Sequence, residues 1–229
     1  MPVMQQLLRS DRAKILGLLF LFSLMSVTFW AVGAIAHHSL NFWYLNWNLL
    51  LAWLPIVFVG WLCRVLKFRP WLNWLPVVIT IFWLAFLPNS FYLVTDFIHL
   101  QLDTRGNILF DVVMLESFVA TGFMLGYVSL YLVHRQLLKR VSAKTAGWLI
   151  GTTLLLSSFA IYLGRDLRLN SWDLFINPTG ILFSVSDIFL SLRSHLQALT
   201  TTAIIFALLS VLYFVIWRAV KIFRLKAKA

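Results

Sequence analysis

Residues Trp71–His99 read WLNWLPVVITIFWLAFLPNSFYLVTDFIH, and no Asp, Glu, Lys, Arg or His appears before Asp96. The stretch Trp71–Val94 is long enough to cross a bilayer, which takes about 20 mostly apolar residues in a helix. Lipid offers no partners to free backbone groups, so such a stretch is read as a helix. Five more stretches of this kind flank it: Ile15–Ala36, Phe42–Leu62, Leu109–Val133, Ala146–Leu163 and Leu199–Trp217. Short alternating strands, the mark of a membrane barrel, are not seen. Of the 229 residues 61% are hydrophobic and 12% charged, against about 45–50% and about 25% in soluble domains. The expected fold is therefore an all-α membrane protein, one integral domain over residues 1–229 built as a bundle of six transmembrane helices. Ala34-Ile35-Ala36 looks like a signal-peptidase site, but the apolar run before it exceeds the usual h-region of roughly 7–15 residues, so an uncleaved first helix is expected.

Basic residues orient the bundle. Arg9, Arg12 and Lys14 precede the first span; Arg64, Lys67 and Arg69 follow the second. Arg135, Lys139, Arg140 and Lys144 follow the fourth, and Arg218, Lys221, Arg224, Lys226 and Lys228 follow the sixth. Only Arg105, Arg165, Arg168 and Arg193 fall on the other side. Lys and Arg are retained in the cytoplasm, so both termini are expected inside (N-in/C-in), in a cell membrane. The net charge of +11 then reflects orientation, and no nucleic-acid module accompanies it. The lone cysteine, Cys63, excludes an intrachain disulfide and reads as a small apolar residue. Trp43, Trp47, Trp71, Trp74, Trp172 and Trp217 fall near span ends, as an aromatic belt requires.

The acids partition the opposite way. Asp11 alone lies inside; Asp96, Asp103, Asp111, Glu116, Asp166, Asp173 and Asp187 lie at or near the outer face. Pro88 is expected to kink or break the third span. Beyond it Asn89, Tyr92, Asp96, His99 and Asp103 follow at spacings of three, four, three and four, which on an α-helix is one face. Glu116 lies inside the fourth span, where an acid is costly and a functional candidate; Asp111 suits a helix N-terminus. At the end of the fifth span Arg165 and Arg168 are three apart and would share a face, either neutralising these acids or forking an anion. Asn170 and Asp173 follow in the fifth loop. There Asn177-Pro178-Thr179-Gly180 reads as a turn, and Ile181–Leu192 is apolar but too short to span, hence an amphipathic interfacial or re-entrant segment.

These residues carry the functional expectations. Asp96, His99, Glu116 and Asp166 are the candidate catalytic groups. Asn89, Tyr92, Arg165, Arg168, Asn170 and Asp173 are the candidate substrate contacts. Asp96, His99 and Asp111 are candidate ligands of a divalent metal, a carboxylate-rich set that suits magnesium, manganese or calcium better than zinc. No phosphate loop, nucleophile elbow or dinucleotide fingerprint is present.

The stretches Leu87-Pro88-Asn89-Ser90-Phe91-Tyr92-Leu93-Val94-Thr95-Asp96, Tyr162-Leu163-Gly164-Arg165 and Asn170-Ser171-Trp172-Asp173 resemble a family of bacterial integral membrane proteins named domain of unknown function 1361. The resemblance covers most of the chain in size and span layout. It implies a bacterial plasma membrane and assigns no catalytic roles. Where this chain has Asn89-Ser90-Phe91-Tyr92, the family pattern is Asn followed by small or Pro residues before Tyr.

Three functions fit. The first is an enzyme or binding protein at the outer face, taking a lipid, lipid-linked or anionic substrate. The second is a small-solute or proton-coupled transporter; against it, the cytoplasmic halves of the spans hold no Asp, Glu, His, Lys or Arg away from their ends. The third is a structural or assembly subunit whose polar network only locks helices together.

Overall fold

A computed structural model describes residues 2–102, 108–167, 169, 171–190 and 196–226. The described residues are helical throughout their ordered elements: α1 (Pro2–Ala36), α2 (Tyr44–Val65), α3 (Trp74–Tyr92), a 3-10 segment (Leu93–Leu102), α4 (Ile108–Leu137), α5 (Ala143–Asp166), α6 (Asp173–Ile176), α7 (Pro178–Leu190) and α8 (Leu196–Lys226). Six segments are long and apolar enough to cross a membrane: Ala13–Ala36, Tyr44–Val65, Trp74–Phe97, Ile108–Leu137, Ala143–Asp166 and Leu196–Phe223. The expected spans are all present, most of them longer by a turn at one or both ends because the helices continue into their polar flanks. Phe20, Leu21, Ile204 and Val211 are exposed along α1 and α8, a surface that water would not tolerate over this extent but lipid solvates.

By contacts the chain divides into two compact units, one formed by Met1–Trp53 with Asn89–Gly126, the other by Leu54–Pro88 with Tyr127–Ala229. In the second unit α5 packs along α8. The short helices of the fifth loop dock there too: Ile188 of α7 is buried with Tyr162 of α5 and Ala198 of α8. Asn177-Pro178-Thr179-Gly180 proves to be a helix start as well as a turn. The Asn177 side-chain oxygen accepts from the Gly180 N–H at 3.1 Å and the Thr179 hydroxyl at 3.2 Å, while Pro178 occupies the first helical position, where its missing N–H costs nothing.

Arg140 does more than set topology. Its Nη1 donates to the Gln136 carbonyl and side-chain oxygen, its Nη2 to the Leu66 carbonyl, and its guanidinium lies 5.6 Å from the Trp71 ring centroid. It thus occupies carbonyls just beyond α2 and in the last turn of α4, where helix ends lack intrahelical donors. Trp71 in turn donates to the Thr80 hydroxyl, so it is held by protein contacts as well as by position. Arg140→Lys is expected to lower stability by about 1–2 kcal/mol, because an ammonium cannot reproduce the planar fork. Thermal melts in detergent check this, and a melt equal to wild type contradicts it.

Candidate functional site

In the first unit the site is built on close helix approach. A Cβ at Gly122 of α4 would stand 2.5 Å from the Ser90 carbonyl oxygen and 2.7 Å from a Leu93 methyl. One at Gly126 would stand 2.7 Å from the Phe91 ring. Gly122 and Gly126 are one small-xxx-small pair, which lets helix backbones approach in a membrane. They bring the Asn89–Leu93 region against α4. From its other side Ser90 donates to the Ala52 carbonyl of α2 at 3.1 Å. Ser26 of α1 and Thr121 of α4 share a hydrogen bond of 3.1 Å, and Trp53 of α2 donates to Ser23 of α1 at 3.0 Å. Hydroxyls and glycines thus fasten α1, α2, the Asn89–Leu102 region and α4 within this unit.

On this frame sits Asp96. Its side chain is 3% exposed, and its Oδ2 accepts a hydrogen bond from Asn48 Nδ2 of α2 at 3.3 Å. Asn89 and Tyr92 are half-buried on the same segment. Asp111, in the first turn of α4, is also 3% exposed.

The expected α-helical stripe takes a different form. The helix runs through Pro88 and ends at Tyr92; the next ten residues are 3-10. The Thr95 hydroxyl donates to the Tyr92 carbonyl at 2.8 Å, satisfying a backbone acceptor at the changeover. With three residues per turn, positions three apart eclipse. The four-residue step from Tyr92 to Asp96 therefore no longer follows one α-helical face. The side chain of His99, and Asp103 altogether, lie outside the described residues. The metal set Asp96, His99 and Asp111 includes that undescribed imidazole; among the described residues no three His, Cys, Asp or Glu gather.

Glu116 is exposed on the surface of α4, unlike Asp96 and Asp111. Arg165, Asp166 and Asp173 belong to the second unit. Arg165 and Asp166 are exposed at the end of α5, and Gln197 Nε2 donates to Asp166 Oδ1 at 3.1 Å. The helix α5 stops at Asp166, with the Leu167 and Leu169 N–H groups both returning to the Leu163 carbonyl. Arg168 and Asn170 lie outside the described residues.

The family described as Protein of unknown function (DUF1361) matches residues 47–216. That is about three-quarters of the chain, and it takes in both motifs together with Asn48, Asp96 and the Gly122/Gly126 pair. The chain belongs to this family. No curated protein and no solved structure matches it.

Two features of this DUF1361 member escaped the sequence reading. Asn48 reads as an ordinary polar residue beside the interfacial Trp47; its distance from Asp96 in sequence hides the pair. The Gly122/Gly126 spacing was visible as G-x-x-x-G in an apolar span. A third feature lies at the C-terminal end of the fourth span. By sequence the fourth span stops at Val133, but α4 continues to Leu137 and His134 is buried. Its Nδ1 hydrogen-bonds the Tyr213 hydroxyl at 2.8 Å, and its ring stacks on Trp217 at 4.0 Å. Two turns earlier on α4 and one turn earlier on α8, Tyr127 donates to the Leu209 carbonyl at 3.1 Å. Trp217, expected as a belt residue, is half-buried and stacks on His134, and this DUF1361 chain buries a titratable ring just beyond the expected end of its fourth span.

Proposed function

We propose that this chain is a bacterial plasma-membrane protein, N-in/C-in, that binds a lipid, lipid-linked or anionic substrate at the extracytoplasmic ends of its spans, with Asp96 as the central polar group. The observation that carries this reading is the burial of Asp96 with the Asn48 amide as its hydrogen-bonding partner on a second helix. A carboxyl withdrawn from water is costly, and it belongs to the unit that paired hydroxyls and closely approached glycines fasten together. There it would accept a hydrogen bond from a substrate hydroxyl or amine, or take its proton if the site is enzymatic. Tyr92 and Asn89, on the same segment, add polar contacts.

Asp96→Asn separates this from a purely structural role. Asn keeps the shape and an oxygen for Asn48 but removes the charge. The expected result is a melting temperature within a few degrees of wild type, with loss of retained lipid or small molecule from a cell extract and loss of any dependent cell phenotype. Retention unchanged in Asp96→Asn contradicts the proposal and favours the assembly role.

Transport is the second reading, and one observation favours it. The buried His134–Tyr213 pair gives the inward half a titratable station that the sequence reading lacked. Substrate uptake by reconstituted vesicles, reduced in His134→Phe, distinguishes it from a site that serves one face only.

A further inference from the structure

The outward stripe of α4 is apolar except at one position. At 3.6 residues per turn, Leu109, Val112, Val113, Glu116, Ala120 and Met124 fall on one side of the helix. Leu109, Val112, Val113 and Met124 are exposed there, and Ala120 is half-buried. Glu116 lies in the middle of this stripe and is itself exposed. Met114, Phe118, Gly122 and Leu125 occupy the opposite side and are buried. Glu116 therefore looks away from the packed interior and from the buried Asp96.

Its depth follows from the helix. Glu116 and Arg135 are nineteen residues apart on α4, about 28 Å along the axis at about 1.5 Å per residue. That is close to the hydrocarbon thickness of about 30 Å. Arg135 opens the basic cluster at one boundary, so Glu116 stands at the other, where acyl chains meet headgroups. A carboxylate at this level, with exposed apolar residues above and below, meets lipid rather than bulk water.

We infer that Glu116 is a docking site for a phospholipid whose headgroup ends in a primary amine, with the ammonium hydrogen-bonded to the carboxylate and an acyl chain lying along Ala120 and Met124. The charge selects a cation. An ammonium also donates hydrogen bonds, and a charged pair of donor and acceptor is stronger than a neutral one. Among zwitterionic phospholipids this selects the ethanolamine headgroup: the choline headgroup has the same charge but no N–H to donate, and a serine headgroup would set its own carboxylate against Glu116. The proposal is independent of the Asp96 site, since the two carboxyls differ in burial and direction.

The test uses the full chain reconstituted into vesicles of equal phosphatidylethanolamine and phosphatidylcholine with matched acyl chains. The lipids retained after gentle detergent extraction are then quantified. Wild type is expected to retain the ethanolamine lipid over the choline lipid by roughly three- to ten-fold, the range of one charge-assisted hydrogen bond partly screened by water. Glu116→Gln, a change at an exposed position, is expected to bring the ratio close to one with an unchanged melting temperature. Two results overturn the proposal: no enrichment in wild type, or enrichment that survives Glu116→Gln. A second polypeptide that copurifies with wild type and is lost in Glu116→Gln, without a change in the lipid ratio, also overturns it and makes the stripe a protein interface.

Discussion

Gly122→Ala is expected to be among the most damaging single-methyl changes in this protein. The added Cβ would meet the Ser90 carbonyl oxygen at 2.5 Å and a Leu93 methyl at 2.7 Å. The methyl can turn away, but the carbonyl is part of the backbone of α3 and can yield only if the helix moves. Ser90 is also tied to the Ala52 carbonyl, so a shift there loosens α2 as well. Overpacking of a well-filled interior costs about 1–3 kcal/mol and occasionally more, against a gain of about 1 kcal/mol in helix propensity for Gly→Ala. A backbone clash belongs at the upper end, so a net loss of about 2–3 kcal/mol is expected. For a chain of this size that is a drop of roughly 5–10 °C in melting temperature. Gly126→Ala meets the Phe91 ring, which can tilt, and is expected to lose about half as much. Gly147→Ala and Gly151→Ala, with nothing within 4 Å of the new Cβ, serve as controls and are expected to melt at or slightly above wild type. Equal melts for Gly122→Ala and Gly147→Ala would refute the close approach of α4 to the Asn89–Leu93 region.

Asn48→Leu is expected to destabilise more than Asn48→Leu combined with Asp96→Leu. The single change removes the amide that hydrogen-bonds a carboxyl only 3% exposed. Leaving a buried acceptor unsatisfied costs its desolvation, about 1–3 kcal/mol. Replacing both partners with apolar groups removes that cost, and the double variant is expected to recover at least half of the loss. The readout is the coupling energy of a double-mutant cycle from melts of both single variants and the double. Additive losses would mean that Asn48 and Asp96 do not act as a pair. The same cycle bears on function, since a double variant that melts like wild type yet binds no substrate separates the role of Asp96 in the site from its role in the frame.

The polar residues show where sequence reasoning works and where it stops. Asp96 stood out because a carboxyl at the end of an apolar span is rare and costly, a property of the residue and its neighbours in the chain. Asn48 did not, because its meaning lies in a partner 48 positions away. The stripe from Asn89 to Asp103 was read with α-helical spacing. The changeover to 3-10 after Tyr92 alters the angular step, so the step from Tyr92 to Asp96 no longer follows one α-helical face. Glu116 and Asp96 looked alike in sequence, both acids near the outer face; packing buried one and left the other on the lipid-facing stripe. His134 looked like a span-end residue, and the extra turn of α4 enclosed it against Tyr213 and Trp217.

The sequence alone determined that the chain is helical, that six of its segments are able to span a membrane, and which of its charges gather at which ends. Those properties depend on local composition: twenty apolar residues in a row admit no other backbone solution in lipid, and each stretch declares this without reference to the rest. Only the tertiary structure decided which polar groups meet, which face of α4 is buried, and that Gly122 is a point of contact while Gly147 is open. These depend on distances between segments remote in sequence, set by packing in which a single methyl group is too large, and no local pattern encodes them.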